Sequence, residues 1–334
     1  MSATPAIPPP VVSRSLFVKS ASSLLPWAQL VRVPNTFTVL ADVGAAFLLV
    51  AHGPTPFGRF AFILLAGIFL YWAGMVLNDV WDVDKDRRER PRRPLPAGKV
   101  SLAAAKRAGW GFLLLGIVLA GISGYWPAEG LETTWRPLLV AVALAGMIVL
   151  YDGPLKASPA APAAMGACRV LSFLLGASPI LIGALPPRLF EPHVLGLAFG
   201  FGVYIMGVTQ MARNETGTAQ SALLPMGLII AMLGAALIAF APRYAPPGTV
   251  WAVLPDNRFV LLVGLVAFGV LFRGVRTVIQ PTPQHVQMLI RVAILTLIPL
   301  AATVALLGAG PVWALVIFFL VVPAIFLSAR FRVT

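Results

Sequence analysis

Thiols, histidines and acidic groups are what this sequence has least of. One cysteine, Cys168, stands in 334 residues, which excludes an internal disulfide framework. The three histidines, His52, His193 and His285, are scattered, so neither a Cys/His zinc cluster nor a histidine-based triad is indicated. Charged residues make up only 11% of the chain and hydrophobic ones 59%, whereas a soluble domain carries about 25% charge. That gap excludes a water-soluble core and puts the lipid bilayer first among the partners. Acidic residues number 12 against 25 basic ones, a net charge of +13. In a soluble protein that excess would suggest nucleic acid. Here the basic residues sit in short loops between apolar runs, so membrane topology explains them and no nucleic-acid partner is expected.

The first residues, MSATPAIPPPVVSRSLFVKSASSLLPWAQLV, lack a continuous apolar run followed by a small-residue cleavage site, so no signal peptide is read. Residues 1–26 are expected to form a Pro-rich cytoplasmic tail, in which Ser15 to Leu25 lie amphipathically on the membrane surface. Residues 27–334 are expected to form one transmembrane domain. A helix needs roughly 20 apolar residues to cross the hydrocarbon core. Candidate spans fall near 33–52, 59–78, 103–125, 135–151, 160–183, 194–212, 219–241, 258–275, 286–307 and 310–329. The fold class is therefore an all-α helical bundle of nine or ten transmembrane helices, the count depending on the Gly308 to Pro311 turn. With the loop after the second span in the cytoplasm, only Arg59, Arg136, Arg188, Arg243 and Arg258 lie on the far side. This bias favours ten spans and both termini cytoplasmic, and a bacterial inner (plasma) membrane is the expected location. Small residues such as Gly196-x-x-x-Gly200 read as close helix packing.

The chemistry concentrates where the second span ends: Asn78-Asp79-x-x-Asp82-x-x-x-Asp86, then Arg87, Arg88, Arg90, Arg92 and Arg93. Residues 78, 82 and 86 recur at i, i+4, i+8 and share one helix face, with Asp79 beside the stripe. Carboxylates crowded at the end of an apolar span repel one another and are tolerable with a cation among them. An open strip of oxygen donors suits Mg²⁺, which keeps waters and takes further ligands from substrate phosphates. The arginines bring forked donors that match phosphate oxygens. The plainer alternative is a capped helix end anchored to anionic lipid.

This motif resembles the first aspartate-rich motif of the UbiA superfamily of intramembrane prenyltransferases, and Arg90 to Gly98, with Arg93-Pro94-Leu95, resembles the turn that follows it there. The resemblance implies a helical bundle with a central cavity, transfer of a prenyl group from a prenyl diphosphate to a small acceptor, and Mg²⁺ as cofactor. It implies that Asn78, Asp79, Asp82 and Asp86 hold metal and diphosphate, with Asp82 and Asp86 central to catalysis and Arg90 and Arg93 binding substrate. Tyr151-Asp152-x-x-x-Lys156 is similar to a later Tyr/Lys pair near the diphosphate, although an interfacial tyrosine is also a common membrane anchor. Arg32-x-x-Asn35 is similar to an early polar pair, although Arg32 also fits a topology charge. Asp42 is costly in lipid and is expected to face the bundle interior. Arg169 is a further candidate for substrate binding.

The family's second aspartate pair, expected near the end of the sixth span, is missing. That position reads Thr209, Gln210, Arg213, Asn214 and Glu215. Arg213 is the candidate to replace a second metal ion electrostatically, with Glu215 orienting it or holding a weak metal site. The departure resembles a divergent bacterial, EboC-like branch. It also leaves open a non-catalytic polyprenyl- or lipid-binding protein associated with transport. A secondary transporter would place charged pairs at mid-membrane, and the Asp-Gly…Ala-Arg pattern of CDP-alcohol phosphotransferases is absent.

Overall fold

The computed structural model describes residues 24–180, 189–213 and 223–330. Among them the chain is helical almost throughout, with one isolated β-bridge between Ala128 and Leu131. In hydrocarbon every backbone N–H and C=O must be satisfied within the protein, and helices do this segment by segment. The long helices are α1 (Val33–Ala51), α2 (Phe57–Trp81), α4 (Leu102–Tyr125), α5 (Arg136–Leu150), α6 (Ala161–Ala177), α7 (Pro192–Ala212), α8 (Leu223–Phe240), α9 (Asn257–Ile279), α10 (Pro283–Leu295) and α11 (Leu297–Phe319). Short α3 (Val83–Glu89) follows α2, and α12 (Val321–Arg330) ends the described chain. Polar residues at the loop edges start several of them. Ser101 Oγ accepts from Ala104 N at the head of α4, Asp256 Oδ1 from Arg258 N at α9, and Thr282 Oγ1 from His285 N at α10.

Eight helical runs are long and apolar enough to cross a membrane, and the last of them, Pro283–Arg330, is 48 residues long. That run doubles back. Ile290, Ile294 and Leu297 line the same cavity as Asn35 and Val39 of α1, and Gly308 lies against Leu49, so the chain first climbs parallel to α1. Ile317 then packs on Gly44, one and a half turns lower. The reversal occurs at Gly310, whose φ of 82° and ψ of −174° break the helix ahead of Pro311. Ala161–Ala177 is apolar but shorter than the other spans; the rest of the expected 160–183 span runs into residues outside those described. With α6 and both halves of the doubled run included, the helices of the described residues run the length of the bundle ten times.

Two ends of the bundle are thereby defined. The far end is tied by Arg59, fully buried, which donates from Nε to Trp126 O at 3.0 Å, from Nη1 to Pro179 O at 2.8 Å and from Nη2 to Glu132 O at 2.9 Å. Glycines let helices approach backbone to backbone. A methyl group at Gly207 would lie 2.4 Å from Ala231 N, and one at Gly234 would lie 2.3 Å from Tyr204 N, so α7 and α8 meet without side chains between them. Gly196 and Gly200 are part of the same seam, against Ala241 and Ile238. The most enclosed helix is α1, packed on α2, α6, α11 and α12.

Candidate active site

The opposite end of the bundle carries the acidic motif. Helix α2 closes at Trp81, and Asp82 (φ −83°, ψ −1°) joins it to α3. The backbone ladder nonetheless runs on through the stripe: Asp82 N donates to Asn78 O at 3.0 Å, Asp86 N to Asp82 O at 2.8 Å and Arg90 N to Asp86 O at 2.8 Å. The side chains on this stripe sort into two pairs. Asn78 Oδ1 and Asp82 Oδ2 both accept from the Lys156 ammonium, which reaches them from beyond α5. Asp86 Oδ2 meets Arg93 Nη1 at 2.7 Å, and Asp79 Oδ1 lies 3.6 Å from the same nitrogen. Asp79 Oδ1 also accepts from Arg32 Nη2 at 3.3 Å. The motif, the following turn, Arg32 and Lys156 thus come together from four stretches of chain. Asp84 and Lys85 face outward, paired with Arg87 and Glu89, and Arg90 is exposed in the loop.

Behind this mouth lies a cavity of about 360 Å³ within the bundle. Leu70, Leu144, Ile148, Ile205 and Val208 give it apolar walls. Its polar lining includes Arg32, Asn35, Tyr151, Asp152 and Arg169. Tyr151 and Asp152 reach it because the chain there forms a π-helical turn, Tyr151–Leu155, opened at Gly153 (φ −89°, ψ −105°) and closed by Pro154. The same turn sets Lys156 toward Asn78 and Asp82. Asp42, fully buried in α1, is 2.7 Å from Arg169 Nε, and Arg169 Nη2 donates to Thr38 O at 2.8 Å. Asp42 therefore faces the bundle interior and serves as the counter-ion of Arg169, a partnership the sequence did not disclose.

Arg213 ends α7 exposed, donating from Nη1 to Ser158 O at 3.3 Å, and its neighbours Thr209 and Ala212 line the cavity. Asn214 and Glu215 lie outside the described residues. Asp152 and Tyr71 are cavity residues to which sequence reasoning assigned no role. The signal for Asp152 was present, an acid adjoining the Tyr151/Lys156 pair; Tyr71 in an aromatic-rich span gave none.

Fit to Mg²⁺ rests on the donor set. Asn78 and Asp82 turn one oxygen each onto a single ammonium, and Asp79 and Asp86 turn one each onto a single guanidinium nitrogen, so each pair converges on a cation. All four donors are hard oxygens, two per pair, which suits an ion that completes its shell with water and phosphate. No group of three or more His, Cys, Asp or Glu side chains among the described residues forms a closed metal cage. An open site shared with a phosphate-bearing ligand is what these residues fit.

Comparison with known proteins brings the same family from three directions. Stretches of the chain are 30% identical over 134 residues to the digeranylgeranylglyceryl phosphate synthase of Methanobrevibacter smithii (40% of this chain, 44% of that protein) and 34% identical over 133 residues to that of Metallosphaera sedula (39% and 43%). The matched stretch thus spans under half the length of these relatives. They are archaeal, and the bacterial branch suggested by the missing second aspartate pair stays an expectation. Among solved structures, a digeranylgeranylglyceryl phosphate synthase superposes with a TM-score of 0.61 at 19% identity, covering 86% of this chain and 99% of that one. A UbiA homologue from Archaeoglobus fulgidus, bound to GPP and Mg²⁺, gives 0.55 at 16% identity, covering 81% and 99%. These likenesses share the fold. The model of the UbiA prenyltransferase family matches residues 39–334, nearly the whole membrane bundle together with its acidic mouth, and the chain belongs to that family.

Proposed function

We propose that the protein is an intramembrane prenyltransferase that moves a prenyl group from a prenyl diphosphate to a small acceptor, with Mg²⁺ as cofactor. The observation that carries this reading is the convergence of two oxygen pairs on cationic groups at the mouth of an apolar cavity. Mg²⁺ held there would supply the positive charge that a diphosphate leaving group needs. Asn78 and Asp82, with Asp79 and Asp86, hold the ion. Arg93, Arg32 and Lys156 stand beside the acids with donors that can turn to phosphate oxygens. The apolar walls take the isoprenoid chain and exclude water. Arg213 and Glu215 remain candidates for the role of the missing second aspartate pair, and Arg90 a candidate for steering the diphosphate inward. The mouth and both termini are assigned to the cytoplasmic side by the basic-residue bias.

The test is diphosphate release from geranylgeranyl diphosphate, with and without Mg²⁺, across a panel of acceptors, using purified protein in nanodiscs. Replacing both Asp82 and Asp86 by Ala is expected to lower turnover by about 100-fold or more. Wild-type turnover in that variant would remove the acids from the reaction. The missing second pair favours a rival, a polyprenyl-binding protein without catalysis; Mg²⁺-dependent binding with no bond cleavage would support it.

A further inference from the structure

The cavity wall contains an unmet hydrogen-bond requirement. Its two arginines each have a carboxylate, Asp79 for Arg32 and Asp42 for Arg169. Its acid, Asp152, does not enjoy the reverse. The residue is only 5% exposed, and Oδ2 has no hydrogen-bond partner among the described residues. The nearest lysine in sequence, Lys156, directs its ammonium to Asn78 and Asp82 instead. The hydroxyl of Tyr71 lies on the same cavity, with Asn35 as its side-chain neighbour. Buried polar atoms are satisfied in the great majority of cases, and an unsatisfied carboxylate oxygen is among the costlier exceptions. The opened turn at Gly153 and Pro154 brings this acid to the cavity rather than hiding it in a helix flank.

The chemistry of what would satisfy this wall follows from its charges. Arg169 is matched by Asp42, and Arg32 is assigned above to the diphosphate, so the wall has no further cation for a second carboxylate or phosphate. It lacks a donor. We infer that Asp152 is the recognition residue of an acceptor subsite: its carboxylate accepts the hydrogen of an O–H or N–H group on a lipophilic molecule. That the molecule is the acceptor of prenyl transfer rests on the function proposed above; the subsite itself rests on the geometry alone.

Cys168 lines the same cavity and is the only thiol of the chain, so its labelling reports occupancy. The experiment measures the rate of Cys168 modification by N-methylmaleimide in the full-length protein in lipid nanodiscs. It compares 1-decanol with 1-methoxydecane, which has the same decyl chain and no donor. The alcohol is expected to slow labelling about tenfold more than the ether, the order expected of one buried hydrogen bond. Asp152→Ala should abolish the difference, and Asp152→Asn, which keeps one acceptor oxygen, should retain part of it. Equal protection by alcohol and ether in the wild type would overturn the subsite, as would an undiminished difference in the Ala variant. A parallel arm with geranyl diphosphate and Mg²⁺ separates the two readings. Protection by the alcohol but not by the diphosphate would sink prenyl transfer and leave the subsite standing; the opposite pattern would do the reverse.

Discussion

At the mouth, the Lys156 ammonium occupies the point on which Asn78 and Asp82 converge, so a protein cation neutralises acids that would otherwise repel. A unit-charge pair at 4 Å is worth about 4 kcal/mol at an effective dielectric of about 20. Both side chains are about a quarter exposed, 27% and 24%, so solvent screens much of that. The charge nonetheless competes with any divalent ion for the same oxygens. Lys156→Met is therefore expected to raise divalent-ion affinity by up to about fivefold in protein without diphosphate, a factor set by a screened pair worth under about 1 kcal/mol. Titration with Mn²⁺ followed by electron paramagnetic resonance measures it, and weaker binding in the variant would contradict the competition. At this scale the motif itself was legible, because residues 78, 82 and 86 recur with the helix period. What each side chain touches was not. Asp86 is claimed by Arg93 and Asp82 by Lys156, 74 residues away in the chain, and no local spacing encodes that division.

Among the elements, the far-end loops depend on one buried cation. Arg59 sits in the first turn of α2 and ties the segment after α4, the segment before α5 and the end of α6 through three carbonyls, while its own carbonyl accepts from Ser123 Oγ at 2.7 Å. Arg59→Met leaves three acceptors without that donor, each costing about 1–3 kcal/mol if water does not replace it. A clear fall in the thermal unfolding midpoint is expected, with Mg²⁺-dependent ligand binding at the opposite end retained at low temperature. An unchanged midpoint would mean that water reaches those carbonyls. The sequence marked Arg59 only as a charge on the far side, since a topology charge and a structural clamp look alike until partners are known. It did mark Gly196 and Gly200 as a packing seam, because small residues four apart align on one helix face. It gave no hint of the π-helical turn at Tyr151–Leu155, where Gly153 and Pro154 interrupt a helix whose inward side only the bundle defines.

For the whole molecule, ten passes predict that Arg92 and Arg330 lie on one side of the membrane and Pro247 on the other. In a Cys168→Ser background, Arg92→Cys and Arg330→Cys should react with a membrane-impermeant maleimide from the same side, and Pro247→Cys from the opposite one. Reaction of residues 92 and 330 from opposite sides would require an odd number of passes and remove the reversal at Gly310. By itself the sequence determined the membrane class, the positions of most helices and the stripe of oxygen donors. These depend on composition and on periodicity within one segment, where hydrocarbon leaves the backbone almost no choice. Tertiary structure decided the cavity, the neutralisation of Arg169 by Asp42, the reach of Lys156 to the acids and the unsatisfied oxygen of Asp152. Each of these is a relation between helices distant in the chain. It comes into being only when their faces pack and water is excluded from between them.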